Sequence, residues 1–274
     1  MRLRHDFRAL RSKAQGFFVL VLLATLLLLS GTYLAPQFVV EAESQPGEVW
    51  SIGYWTPWGE PAVPIDAIQW DGLTHVVQWG VLVGPDGSLD LATNHVENNA
   101  PKLLAAARQA NVKVLLGVTQ AYWRGQSLNF RKATASQRDR LVSEILAVVG
   151  RYDFDGVDID WEPFTRRLDA DGMTALLTDL RAPLGGKALT AAAIITDSAY
   201  WGTVHQLVDR VNVMTYDMSG SHDPYVWHNS ALHSDSDNVW SIRLAVDRFS
   251  ARGVPLQKLG IGIGFFGWRW TGRG

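Results

Sequence analysis

The 274-residue chain has no cysteine, which excludes disulfide bonds, thiolate metal sites and cysteine nucleophiles together. Charge is also scarce: only 19% of residues are Asp, Glu, Lys or Arg, and the formal net charge is −2. A nucleic-acid partner, which needs a basic surface, is therefore not expected. Short internal repeats and low-complexity tracts are missing as well. With 47% apolar residues the chain has the material for a sizeable core and is no candidate for wholesale disorder. In excess is tryptophan, with 12 copies. That many indoles fit a surface that stacks on flat apolar faces such as sugar rings, although core packing accounts for most tryptophans in folded proteins.

The N-terminus reads as an address. Arg2, Arg4, Arg8, Arg11 and Lys13 stand against Asp6, and an uncharged run of 18 residues follows from Phe17 to Leu34. A basic start, an apolar run and a small-residue exit form a secretory signal, with a cut after the Val40-Glu41-Ala42 triplet. The alternative is an uncleaved signal anchor, since the run is just long enough to span a bilayer. The expectation is a secreted protein, extracellular, periplasmic or membrane-anchored, with no membrane contact in the mature form unless the anchor is retained. Removal of residues 1–42 takes five of the 25 basic and two of the 27 acidic residues, leaving a net charge of −5. Residues 43–48 read as a short linker, and residues 49–274 as one large domain, expected to be a monomer.

Beyond the linker, short β-rich apolar runs recur at Trp50–Trp55, Thr74–Trp79, Lys113–Val118, Gly156–Trp161, Leu189–Ile195, Arg210–Tyr216 and Leu259–Phe266. They are almost continuously apolar, as strands buried on both faces are. Helical patterns lie between them. One starts near Asn98 with Pro101 in its first turn and carries Leu103, Leu104 and Ala107. A second aligns Leu141, Ile145, Val148 and Val149. A third aligns Val239, Ile242, Val246 and Phe249, and stops before Gly253 and Pro255. Alternating strands and helices predict an α/β fold with a parallel sheet, either a closed barrel or a doubly wound sheet. The first strand is not followed by a Gly-x-Gly-x-x-Gly turn, so a dinucleotide fold loses ground, and no cofactor is implied.

The informative segment is Asp155-Gly156-Val157-Asp158-Ile159-Asp160-Trp161-Glu162. Side chains alternate along a strand, so Asp158, Asp160 and Glu162 share one face while Val157, Ile159 and Trp161 share the other. Alternate Cα atoms lie about 6.6 Å apart, close enough for neighbouring carboxylates to interact. Ionised acids held together in an interior repel one another and lose hydration, so at least one keeps a proton near neutrality. A carboxylic acid kept protonated in this way suits general-acid catalysis. A calcium loop is the competing use of such acids, but it needs glycine at its sixth position, where this segment has Pro163. No metal is expected.

Asp155–Glu162 resembles the Asp-x-x-Asp-x-Asp-x-Glu signature of the glycoside hydrolase family 18 chitinases. Gly53-Tyr54-Trp55 is similar to that family's first strand and Asn212-Val213-Met214-Thr215-Tyr216-Asp217 to its sixth. His228-Asn229-Ser230-Ala231-Leu232 resembles the following loop, and Gly262-Ile263-Gly264-Phe265-Phe266-Gly267 the seventh strand. The resemblance spans about residues 50–267. It implies a TIM (β/α)8-type barrel and substrate-assisted, retaining hydrolysis of β-1,4-linked N-acetylglucosamine, a departure from the two-carboxylate scheme. Chitin or its oligosaccharides would be the partner, with endo action favoured over exo. Under it, Glu162 is the general acid and later the base, while the substrate's acetamido oxygen is the nucleophile. Asp160 holds the acetamido N–H, Asp158 shares a proton with Asp160, and Tyr216 donates to the acetamido carbonyl. Tyr54, Met214 and Asp217 shape the pocket. From the residues themselves, Trp227 is a candidate sugar platform, Trp161 faces the core, and Asp155 braces the start of its strand.

The pattern is broken in places. Lys113–Gln120 lacks the family's usual Ser-x-Gly-Gly turn, and Gly264, Phe266 and Trp268 stand where Pro, Tyr and Arg are common. Seven strands are identifiable; the eighth, with its pocket-floor tryptophan, is missing before Gly274, from which a truncated product is expected. Two other readings stay open: an endo-β-N-acetylglucosaminidase or peptidoglycan glucosaminidase of the same fold, and a non-catalytic chitin-binding lectin.

Overall fold

The computed structural model describes residues 49–57, 63–120, 128–161, 167–220, 226–236 and 239–271. The leader over 1–42, the linker over 43–48 and Glu162 lie outside the described residues. The strands are β1 (Ile52–Trp55), β2 (His75–Val83), β3 (Leu89–Asp90), β4 (Lys113–Thr119), β5 (Gly156–Asp160), β6 (Ala188–Ile194), β7 (Arg210–Met214) and β8 (Leu259–Ile261). The α-helices are α1 (Val96–Gln109), α2 (Asn129–Ser136), α3 (Arg138–Tyr152), α4 (Arg167–Leu184), α5 (Ser198–Val204) and α6 (Ile242–Ala251).

The main sheet runs β1-β2-β4-β5-β6-β7-β8, every neighbour parallel, with the two-residue β3 folded antiparallel onto the end of β2. This is the strand–helix alternation of a (β/α)8-type barrel, with seven parallel strands and, among the described residues, β1 and β8 as its edges. The expected α/β architecture is therefore present, as a barrel segment rather than a doubly wound sheet.

The central strands β2, β4, β5 and β6 are buried on both faces, for different reasons. Val76, Val114, Leu116, Val157, Ile159, Leu189 and Val211 point outward into one apolar cluster with Leu103, Ile145, Leu176, Leu180 and Phe249 from the covering helices. Each such side chain contributes roughly 1.5–3 kcal/mol on leaving water. The alternate residues Val77, Leu115, Asp158, Thr190 and Ala192 face the other way and are also buried, lining the barrel interior.

One irregularity serves the site. The β2–β4 register pairs Gln78 with Leu116 but Val81 with Val118, so β2 carries an extra residue there. Such a bulge re-aims nearby side chains. Gly80 takes φ +114, which a side chain would strain, and its carbonyl accepts from Asn94 Nδ2 at 2.6 Å.

The expected boundaries moved where tertiary contacts outweigh local pattern. Helix α1 begins at Val96, two residues early, because Val96 is buried, and Pro101 then sits in the second turn on the exposed face. Helix α6 begins at Ile242 rather than Val239, because the Ser241 hydroxyl caps it by accepting from the Leu244 N–H at 3.1 Å. Strand β8 stops at Ile261, five residues short of Phe266. Among the described residues it pairs with β7 alone, and Phe265 beyond it is 100% exposed.

Candidate active site

The site forms where β1, β2, β4, β5, β6 and β7 turn polar side chains into the barrel. Asp158 sits at its centre, in register with Gly117 of β4 and Thr190 of β6. A Cβ on residue 117 would lie 2.8 Å from the Val77 Cγ1 and 2.9 Å from the Trp79 Cα, so only glycine lets β2 pass that closely.

Asp158 is fully buried, at 0% exposure, and surrounded by donors. Its Oδ1 accepts from the Thr190 hydroxyl and from Asn212 Nδ2 at 3.2 Å. Its Oδ2 accepts from the Tyr54 hydroxyl at 3.1 Å, and that hydroxyl accepts in turn from Asn212 Nδ2 at 3.0 Å. Burial pushes the Asp158 pKa up to about 7 and the charge of Asp160 adds to the rise, against the pull of the Thr190, Tyr54 and Asn212 hydrogen bonds. Tyr54 is 42% exposed as a residue, yet its hydroxyl end is enclosed. Burial, and then the charges of Asp158 and Asp160, raise its pKa well above the usual phenol range.

Asp160 ends β5 and is only half-buried. Its Oδ2 accepts from the Trp79 indole N–H at 2.6 Å and from the Thr119 hydroxyl at 3.3 Å. Trp79 is the residue beside the β2 bulge. The two aspartates thus stand in different settings: one closed off and inclined to hold a proton, the other at the strand's open end.

On β7, Asn212 faces Asp158, and strand alternation sends Met214 the same way, with Tyr216 two residues further on. Tyr216 meets the Phe266 ring edge-on, with centroids 5.6 Å apart. Between them Thr215 is buried, donating to the Gly262 carbonyl at 2.7 Å and accepting from the Ser230 hydroxyl at 2.6 Å. Asp217 adopts φ 54; its N–H donates to Asn229 Oδ1 at 3.2 Å, and its carboxylate accepts from the Trp268 indole at 3.0 Å. The Trp227 indole N–H donates to the Trp240 carbonyl at 3.3 Å, on the segment leading to α6. Asp155 braces its strand as expected, accepting from the Val114 N–H at 2.8 Å. Trp161 is buried on the helical side and stacks on Phe130 at 5.0 Å.

Over residues 51–274 the sequence matches the glycosyl hydrolases family 18. The chain belongs to that family. Its curated family relatives include Probable chitinase 2 of Drosophila melanogaster, 28% identical over 65% of this chain and 39% of that protein. Chitinase 63 of Streptomyces plicatus is 34% identical over 43% of this chain and 23% of that protein. The chain thus spans well under half the length of these relatives. Among solved structures, the family 18 chitinase of Cycas revoluta in complex with (GlcNAc)3 shares the fold, with TM-score 0.68 and 23% identity over 78% of this chain and 68% of that one.

Within this family 18 site, four residues escaped the sequence reading: Trp79, Thr119, Thr190 and Asn212. Thr119 and Thr190 were findable in principle, as polar residues at interior positions of otherwise apolar strands. Asn212 stood inside a recognised motif without being singled out. Trp79 had no signal, because its aim depends on the bulge.

Proposed function

We propose that this chain is the catalytic part of a secreted glycosidase that hydrolyses β-1,4-linked N-acetylglucosamine in chitin and chitooligosaccharides. The observation that carries the reading is the pair Asp158 and Asp160 on the interior face of β5, one buried with a pKa near 7 and the other set at the strand end beside Trp79. Family membership and the chitinase relatives support the same substrate class.

In this mechanism Glu162, two residues beyond Asp160, donates its proton to the glycosidic oxygen as that bond breaks. The substrate's acetamido oxygen attacks the anomeric carbon from the opposite face, giving an oxazolinium ion and a freed sugar hydroxyl. Water then attacks the anomeric carbon, Glu162 takes its proton, and the retained configuration follows from the two inversions. Asp160 holds the acetamido N–H and faces the positive charge that develops on the ring. Asp158 retains its own proton over the acid range, which limits the negative charge packed into the interior and leaves Asp160 as the counter-charge. Tyr216 orients the acetamido carbonyl, and Tyr54, Met214 and Asp217 shape the pocket. Trp227 would serve at a more distant sugar position. The basic and apolar N-terminus supports export.

Replacement of Glu162 by Gln tests this. Turnover of a chitin tetrasaccharide is expected to vanish while calorimetric binding of the tetrasaccharide persists; a Glu162→Gln protein at wild-type rate would sink the assignment. Parallel digestion of chitin, N-glycans and peptidoglycan identifies the linkage, with chitin expected to be cut fastest.

A further inference from the structure

Beyond β8 the chain is held by side chains rather than by a strand ladder. The Thr215 hydroxyl donates to the Gly262 carbonyl at 2.7 Å, Asn229 Nδ2 donates to the Phe266 carbonyl at 3.1 Å, and the Trp268 indole N–H donates to Asp217 Oδ1 at 3.0 Å. Asn229 is used twice, because its Oδ1 also accepts from the N–H of Asp217, whose φ of 54 is uncommon outside glycine. These contacts fasten residues 262–268 to the end of β7 and to the loop that follows it.

Glycines decide how closely this segment lies against the site. Leu259 packs on the outer apolar cluster, so alternation turns Gly260 toward the barrel interior. A Cβ on residue 260 would lie 2.6 Å from Asn212 Oδ1, one on residue 262 would lie 3.0 Å from the Tyr216 ring, and one on residue 264 would lie 3.2 Å from the Tyr216 Cβ. The segment therefore runs along Asn212, which binds Asp158, and along Tyr216. Phe266 continues that line, edge-on to Tyr216, and Trp268 follows at Asp217.

Two large rings are left facing water there, Phe266 at 53% and Trp268 at 46% exposure. Exposed apolar residues scattered singly need no explanation, but adjoining ones with a polar rim mark binding surfaces. Asp217 and Asn229 supply that rim, and Tyr216 joins it to the interior. A hydrogen bond at the indole edge fixes the ring without using its face. A pyranose with equatorial substituents, such as β-linked N-acetylglucosamine, presents a face of C–H groups to such a ring and turns its hydroxyls sideways, toward polar neighbours. An apolar helix or a second copy of the chain would bury Asp217 and Asn229 without that supply of hydrogen-bonding groups.

We propose that Trp268, with Phe266 beside it, is a platform for one N-acetylglucosamine ring of the oligosaccharide, next to the ring that Tyr216 engages. The inference rests on the glycosidase reading and deepens it, since neither residue takes part in breaking the bond.

The test compares the full chain with its Trp268→Ala, Trp268→Phe and Phe266→Leu variants, measuring kcat and KM on a chitin tetrasaccharide and the folded fraction in denaturant titrations. Calorimetry gives the Kd of the tetrasaccharide for the same substitutions combined with Glu162→Gln, which keeps the ligand intact. Trp268→Ala is expected to raise Kd and KM roughly tenfold or more, the scale of truncating an aromatic anchor, with kcat changed less than about threefold. Trp268→Phe keeps a ring and should lose less, and Phe266→Leu should raise Kd about two- to fivefold. Unchanged Kd and KM in Trp268→Ala overturn the proposal, as does a loss of binding equal to the loss of folded protein. So does a wild-type dimer that Trp268→Ala separates while the sugar affinity stays the same, since a second copy then covers the rings. Phe266→Leu keeps the backbone carbonyl that Asn229 holds, so it decides alone if Trp268→Ala does not fold. A wild-type chain that neither binds nor cuts the tetrasaccharide removes the glycosidase reading itself, whereas normal binding and turnover in the wild type and in the ring variants alike remove only the platform.

Discussion

On β5, residues one position apart meet different surroundings. Val157 and Ile159 point into the apolar cluster between sheet and helices. Asp158 and Asp160 point into the barrel, where Thr190, Asn212, Tyr54, Trp79 and Thr119 supply donors in specific directions. Both faces are tightly enclosed around the strand's centre, yet one is packed for stability and the other arranged for charge. The comparison teaches that the apolar face fixes where the strand lies, and that the polar face can then hold carboxylates at some energetic cost because the position is already set.

If that division holds, changes on the interior face should fall on rate rather than stability. Asp160→Asn removes the counter-charge but keeps the shape and can still accept from Trp79 and Thr119. Turnover of a chitin tetrasaccharide is expected to fall roughly 10²–10³-fold, the scale of losing one transition-state contact, with the melting temperature almost unchanged. A variant that loses stability and keeps its rate per folded molecule would contradict the comparison.

A smaller effect should appear in the pH dependence of stability. Folding raises the Asp158 pKa from the ordinary 3.8 to about 7, so the folded state keeps a proton that the unfolded chain releases. Between those values the native state binds more protons, and stability falls as pH rises, levelling off above the folded value. The loss is fully absent below about pH 4 and, by linkage, amounts to a few kcal/mol at most. Denaturant titrations at a series of pH values should show this decline in the wild type and a flatter profile in Asp158→Asn. Equal slopes would mean that Asp158 ionises in the folded protein much as it does in the unfolded one.

Much of this was legible in the sequence for one reason: a parallel strand buried on both sides announces itself by continuous apolarity, and three acids interrupting it on one face demand an explanation. Parity alone placed Trp161 among the helices and Asp158 and Asp160 in the interior. It did not reveal helices α2, α4 and α5: α2 and α5 are only eight and seven residues long, and Gly172 and Pro183 interrupt α4, although its buried Met173, Leu176, Leu177, Leu180 and Leu184 follow helical spacing. Nor could it foresee Trp79, since the extra residue at Gly80 shifts the phase of β2 and only pairing with β4 exposes the shift. Trp227 was singled out for its composition and loop setting, whereas the contact that locates its indole, the Trp240 carbonyl, is a matter of tertiary folding.

The smallest change is the most discriminating for the outer face. Ile159 is fully buried between Asp158 and Asp160 in sequence, and Ile159→Val deletes one methylene from the apolar layer without altering any polar group. The expected cost is about 0.5–1.5 kcal/mol of unfolding free energy, read from a shift in the denaturation midpoint at unchanged slope. Turnover per folded molecule should remain at the wild-type level, because the lost atom faces the helices and the strand still pairs with β4 and β6. A clear drop in kcat from so conservative a change would show that the carboxylates depend on outer packing to a fraction of an ångström, and that the two faces of β5 act as one unit.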